Sequence, residues 1–335
     1  MRSLHLLAVA MVLVSAPPIS AHHSRAGFDM DSVVAVQGTV TRFEWSNPHV
    51  YIYMESHDGG GEPLEWEIET DAIPVLARNG WTADLVEPGD VVSVRGNPGK
   101  ESAARHALLV SIRTADGRVL TPRRHVDASR AVAQATDISG VWELPTDYGD
   151  FNQRWAEVAL TEQGATARAA YDSRLHRPAA KCIATPSPGV LIMPFLNEIE
   201  LGDEIVTMRS EFFNSERTIY MDGREHPEDG ERTNQGHSIG WWEGEVLVVD
   251  TRLFEDHRAP IRGPNEGVPS GAQRHLMERY YLSEDRTHLI VEFVVEDPEY
   301  LAEPFSGSLE LYYAPELEML GFNCDPASVE RYIVE

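Results

Sequence analysis

Apolar and polar residues alternate along most of this chain with a period of two, the signature of half-buried strands rather than of helices. Residues 33–45 (VVAVQGTVTRFEW) and 50–55 (VYIYME) flank the breaker Asn47-Pro48, and 64–69 (LEWEIE) resumes after the turn Asp58-Gly59-Gly60-Gly61. A short helical stretch over 72–78 stops at Asn79-Gly80. Two more strands, 91–95 and 107–113, follow the turn Glu87-Pro88-Gly89-Asp90. Five strands with a helix between the third and fourth predict a small OB-like barrel, assigned to residues 22–120. The alternation lapses over 121–136, which reads as a linker.

A second β-rich stretch occupies 137–335. Gly140-Val141-Trp142 stands at its head, and a short helix is expected near 160–171. Strands are expected over 198–201, 204–211, 217–221, 238–242, 245–251, 273–282, 288–296 and 308–313. So many strands with short turns predict a larger antiparallel, lipocalin-like barrel, whose interior can hold a ligand. The fold class is mainly β.

The amino terminus changes the compartment. Arg2, the apolar run 4–14 and the small-residue ending Ile19-Ser20-Ala21 have the form of a signal peptide over 1–21, so a periplasmic or secreted protein is expected. The apolar run is too short for a bilayer and no later stretch approaches the needed length, so no membrane span is expected. In an oxidising compartment Cys182 and Cys324, an even pair with no other thiol, are expected to form a disulfide, the competing reading being two buried thiols. With 54 acidic against 28 basic residues and a net charge of -26, the surface field repels phosphate backbones, and nucleic acid is not an expected partner.

The start His22-His23-Ser24, with Gly38-Thr39-Val40 and Glu44-Trp45-Ser46-Asn47-Pro48-His49, resembles an exported bacterial family of unknown function over about residues 22–115. The second half is similar to another group of uncharacterised exported β proteins. It carries Asp222-Gly223-Arg224-Glu225-His226-Pro227, Gly236-His237-Ser238-Ile239-Gly240, Trp242-Glu243-Gly244 and Val248-Val249-Asp250-Thr251. The resemblance implies cysteines at the positions of Cys182 and Cys324 but no reaction. Trp241 stands where arginine is expected, which argues against an anion site there.

Three constellations carry candidate chemistry. His22, His23 and His49 offer amine and imidazole nitrogens suited to copper, against the plainer reading of a polar terminus and a turn-capping histidine. Gly236-His237-Ser238-Ile239-Gly240 matches the G-x-S-x-G pattern, but a strand rather than a helix follows it, so a hydrolase elbow is not expected. His226, His237, Glu225 and Asp250 place histidine beside carboxylate, the combination that proton transfer near neutral pH requires. The competing reading makes Asp222-Gly223 a hairpin turn, Arg224 and Glu225 a surface pair, and His226 a loop anchor.

These readings converge on an exported protein that binds a small, partly apolar molecule inside its second barrel. Tyr220, Arg224, Ser238 and Trp241 are the candidate contacts, with the loop 224–237 at the barrel mouth. A hydrolase, isomerase or lyase using His226 and His237 with a carboxylate is the alternative, and copper capture by His22, His23 and His49 is a third.

Overall fold

The computed structural model describes residues 27–56, 63–100, 105–123, 133–144, 154–176, 178–258, 261 and 267–329. The expected leader, with His22 and His23, lies outside the described residues, as does the middle of the expected linker. No helix among the described residues is long and apolar enough to cross a membrane.

The first barrel is built from β1 (Val34–Glu44), β2 (Tyr51–Ser56), β3 (Leu64–Glu69), α1 (Ile73–Ala77), β4 (Val91–Pro98) and β5 (His106–Arg113), with β6 (Val119–Leu120) added at its edge. The antiparallel order β3-β2-β1-β4-β5 is closed by a parallel pairing of β3 with β5, the OB-like arrangement that the strand and helix order predicts. Closure needs β1 to bend between its two neighbours. Gly38 allows this, since a Cβ there would stand 2.2 Å from the carbonyl oxygen of Glu55. Ile52, Met54, Ile68, Leu76, Trp81 and Ile112 fill the interior.

The second barrel runs through β7 (Gly140–Glu143), α2 (Glu162–Ala169), α3 (Ser173–His176), β8 (Asn197–Leu201), β9 (Ile205–Ser210), β10 (Ser215–Tyr220), β11 (His237–Glu243), β12 (Val246–Arg252), β13 (His275–Leu282), β14 (His288–Glu296) and β15 (Phe305–Tyr313). Its nine strands close in chain order, β15 returning to β7. An odd number of strands cannot alternate direction all the way round. One neighbouring pair must be parallel, and it is β10 with β11. This departs from the expected all-antiparallel barrel, and it has a structural cost in chain length, because a parallel join needs a crossover of a dozen residues or more. Residues 221–236 provide it. Asp222-Gly223 therefore opens a crossover and is not a hairpin turn.

Apolar side chains from both walls, among them Trp142, Ile219, Leu247, Val249, Leu276 and Leu311, pack the interior. Amid them Arg217 is buried against Glu278, whose other oxygen accepts from the Tyr280 hydroxyl. Arg217 Nε also donates to Ser238 Oγ at 2.9 Å, and its Nη2 donates to Thr251. A buried ion pair survives only when its remaining donors and acceptors are also met, and these hydroxyls meet most of them. Cys182 and Cys324 form the disulfide expected from the sequence.

Candidate functional site

Strand alternation decides which groups share a face. Ser238 and Thr251 are fully buried inside the second barrel, so their neighbours His237 and Asp250 point outward, as does His275 beside buried Leu276. His237 pairs in register with Arg252, Asp250 pairs with Met277, and His275 pairs with Glu296. Each step is an even offset, so His237, Asp250, His275 and Glu296 line one outer face as direct or diagonal neighbours. The crossover 221–236 folds back over this face and brings His226 between His237 and Asp250.

The result is a ladder. His226 Nδ1 lies 2.9 Å from His237 Nδ1, and His226 Nε2 lies 3.1 Å from Asp250 Oδ1. The same Asp250 oxygen is 3.0 Å from His275 Nε2, while His275 Nδ1 is 3.3 Å from Glu296 Oε2. Tyr220 stacks on the His237 ring at 5.2 Å, and Arg224 lies over Tyr220 while pairing with Asp222.

Electrostatics assigns the protons. Burial lowers the pKa of His226, overriding the pull of Asp250, and burial together with the neighbouring His226 and Arg224 charges lowers that of His237. Both rings are therefore neutral near pH 7. His275 moves the other way, raised by its hydrogen bond to Asp250 against the effect of burial. Burial alone would raise Asp250, but the hydrogen bond and charge of His275 outweigh it and hold the carboxyl below its ordinary value. Because Asp250 and Glu296 only accept, His275 donates from both nitrogens as an imidazolium, and His226 donates from Nε2. His226 Nδ1 is then a lone pair that accepts from His237 Nδ1–H. The lone pair of His237 ends up on Nε2, which makes no hydrogen bond among the described residues.

The sequence anticipated His226, His237 and Asp250, and the fold brings them together. Glu225 does not join them. It is exposed, and the carboxylate partner is Asp250 instead. Ser238 points into the barrel, whereas Tyr220, Arg224 and Trp241 lie on its outer side, Trp241 donating to Glu243, so the four candidate contacts do not line one interior pocket. Loop 224–237 accordingly packs His226 on the outer wall. His275 and Glu296 had no distinguishing spacing; the register of β13 against β14 is the signal that unites them.

His49 sits apart, in the first barrel, donating from Nδ1 to the carbonyl of Thr70 at 2.9 Å. Glu69 lies beside it and reaches His106 Nε2 at 3.3 Å on its other side. Among the described residues, no group of three His, Cys, Asp or Glu is arranged to hold a metal ion. The outer-wall ladder, in particular, runs in a line rather than around a point.

Residues 9–108 match the model of a family of unknown function, DUF6152, which spans most of the first barrel and none of the second. No curated protein matches the chain.

Proposed function

We propose that the outer face of the second barrel is an acid–base site in which His237 Nε2 takes a proton from a small-molecule substrate or from a water attacking it. The observation that carries this is the unbroken line Asp250–His226–His237, held by a 3.1 Å contact from the carboxylate to His226 and a 2.9 Å contact between the two neutral rings. As Nε2 gains a proton, the Nδ1 proton of His237 passes to His226, and the positive charge settles beside Asp250. The carboxylate fixes the tautomer and stabilises the imidazolium, the division of labour found wherever histidine serves as a base. Arg224, held over Tyr220, lies where it can meet negative charge developing on a substrate. Hydrolysis, isomerisation and elimination are the reaction classes this arrangement serves.

The test uses 4-nitrophenyl acetate as a first probe, then small esters and hydroxy-carbonyl compounds. His237→Ala is expected to lower the rate about a hundredfold or more. His226→Ala and Asp250→Asn, as positioning changes, should move the midpoint of the pH–rate profile as well as its height. A His237→Ala rate within a few-fold of the unaltered protein for every probe that turns over removes the proposal.

A further inference from the structure

One end of the second barrel contains a cavity of about 30 Å³, walled largely by Trp142, Leu191, Met208 and other apolar side chains. Polar side chains stand in that wall as well, among them Asn197, Gln235 and Arg217. Asn197 is 5% exposed, and its amide nitrogen donates to the carbonyl of Phe195, while its Oδ1 has no hydrogen-bond partner. Arg217 is already engaged by Ser238, Thr251, Glu278 and Tyr280. A buried acceptor left without a donor is destabilising, so this cavity is built to receive something that supplies one.

We propose that this cavity is a binding site for a small neutral molecule with a hydroxyl or primary amide head and a short apolar tail. The head group donates to Asn197 Oδ1, and the tail lies against Trp142, Leu191 and Met208. Charge selects for neutrality. Glu278 already cancels Arg217, and Arg209 in the same wall pairs with Glu198, so a carboxylate entering here would be an added charge without a partner. The net charge of -26 repels it further. Size selects for brevity, since the volume is only that of about one or two water molecules, so even a three-carbon tail enters only as Leu191 and Met208 move aside. The site is independent of the outer-wall histidines: it lies on the opposite side of the strands that carry them.

Saturation-transfer NMR on the whole protein tests this with 1-propanol, propionamide and sodium propionate as probes. Transfer is expected to 1-propanol and propionamide, with propionate at least tenfold weaker. Asn197→Leu, which removes the acceptor, and Met208→Trp, which fills the space and leaves Asn197 in place, should each weaken binding about tenfold or more. His237→Ala should leave it unchanged. Absence of transfer from all three probes means the cavity holds water only and overturns the proposal. So does transfer that survives Met208→Trp, and propionate binding as well as propanol overturns the assignment of a neutral ligand. Should Asn197→Leu fail to fold, Met208→Trp decides alone.

Discussion

His257 shows how a single buried side chain sets the response of this protein to acid. Its Nε2 donates to the carbonyl of Ala184, and burial, reinforced by the nearby Arg274 charge, holds its pKa down to about 4. The unfolded chain takes up this proton near pH 6.5, the folded chain only near 4, so stability falls as the pH drops through that interval. The loss amounts to about 3 kcal/mol. His226 and His237, also lowered, act in the same direction. Raised His275 opposes them, contributing stability that is full below 6.5 and lost as pH rises through its folded value, while lowered Asp250 loses its contribution only as pH falls below 3.8. Urea unfolding at pH 7, 5.5 and 4.5 should show the decline, and His257→Gln, which keeps a donor for Ala184, should remove most of it. An unchanged slope in that variant would place the acid sensitivity elsewhere. The proton positions have their own check, because long-range ¹H–¹⁵N spectra of the imidazoles at pH 7 distinguish the nitrogens: one proton on His226 Nε2, one on His237 Nδ1, two on His275. Residue types alone suggested His226, His237 and Asp250, since histidine next to carboxylate is chemically conspicuous. They misplaced the partnership at Glu225, because adjacency in sequence does not put two side chains on one face, whereas the even register offset from His237 to Asp250 does.

Among the elements, the crossover 221–236 links the odd strand count to the site. Nine strands require one parallel pair, the pair requires a long connection, and the connection delivers His226 to the outer wall. Its exit is tightly specified. Gly236 has φ +72, and a Cβ there would lie 2.6 Å from the carbonyl oxygen of Arg252, so Gly236→Ala is expected to cost about 1–3 kcal/mol. It should also shift His237 away from His226. At the entry, Gly223 has φ +78 with open space around it, so Gly223→Ala should cost only about 1–2 kcal/mol, the left-handed penalty alone. Denaturant midpoints of the two variants compare them directly, and equal losses would mean that the contact with Arg252 is easily relieved. The strands themselves were largely legible, as in β14, where buried Leu289, Val291, Phe293 and Val295 alternate with outward His288, Glu292 and Glu296. Alternation reports which face a residue takes but says nothing of a neighbour's direction. The parallel join between β10 and β11 was therefore invisible until the strands were counted around a closed barrel.

At the scale of the whole molecule the two barrels share a small core of their own. Ala72 and Val75, at the α1 helix of the first, pack with Met193, Phe195 and Phe322 of the second, and Asn47 pairs with Cys324 in a short parallel bridge. The sequence marked both cysteines but not this contact, since nothing in the spacing of Phe195, Phe212 and Phe322 shows which surface they meet. The disulfide closes a separation of 142 residues and fastens the segment that lies between the barrels. In the chain-entropy model it is worth about 3–5 kcal/mol. Arg78 adds a polar lock, donating to both oxygens of Glu211 at 2.7 Å, while Glu211 also accepts from the backbone N–H groups of Leu196 and Leu320. Losing the guanidinium leaves a buried carboxylate without its cation, a change that typically costs about 3–5 kcal/mol. The loss falls on the contact between barrels and on neither interior, so it should uncouple them as well as destabilise them. Calorimetry of Arg78→Met is expected to split one melting transition into two, and reducing the disulfide in that variant should widen the gap. A single transition at lowered temperature in both states would mean that the apolar contact around Phe322 couples the barrels without the ion pair, and Phe322→Ala would then be the change that separates them.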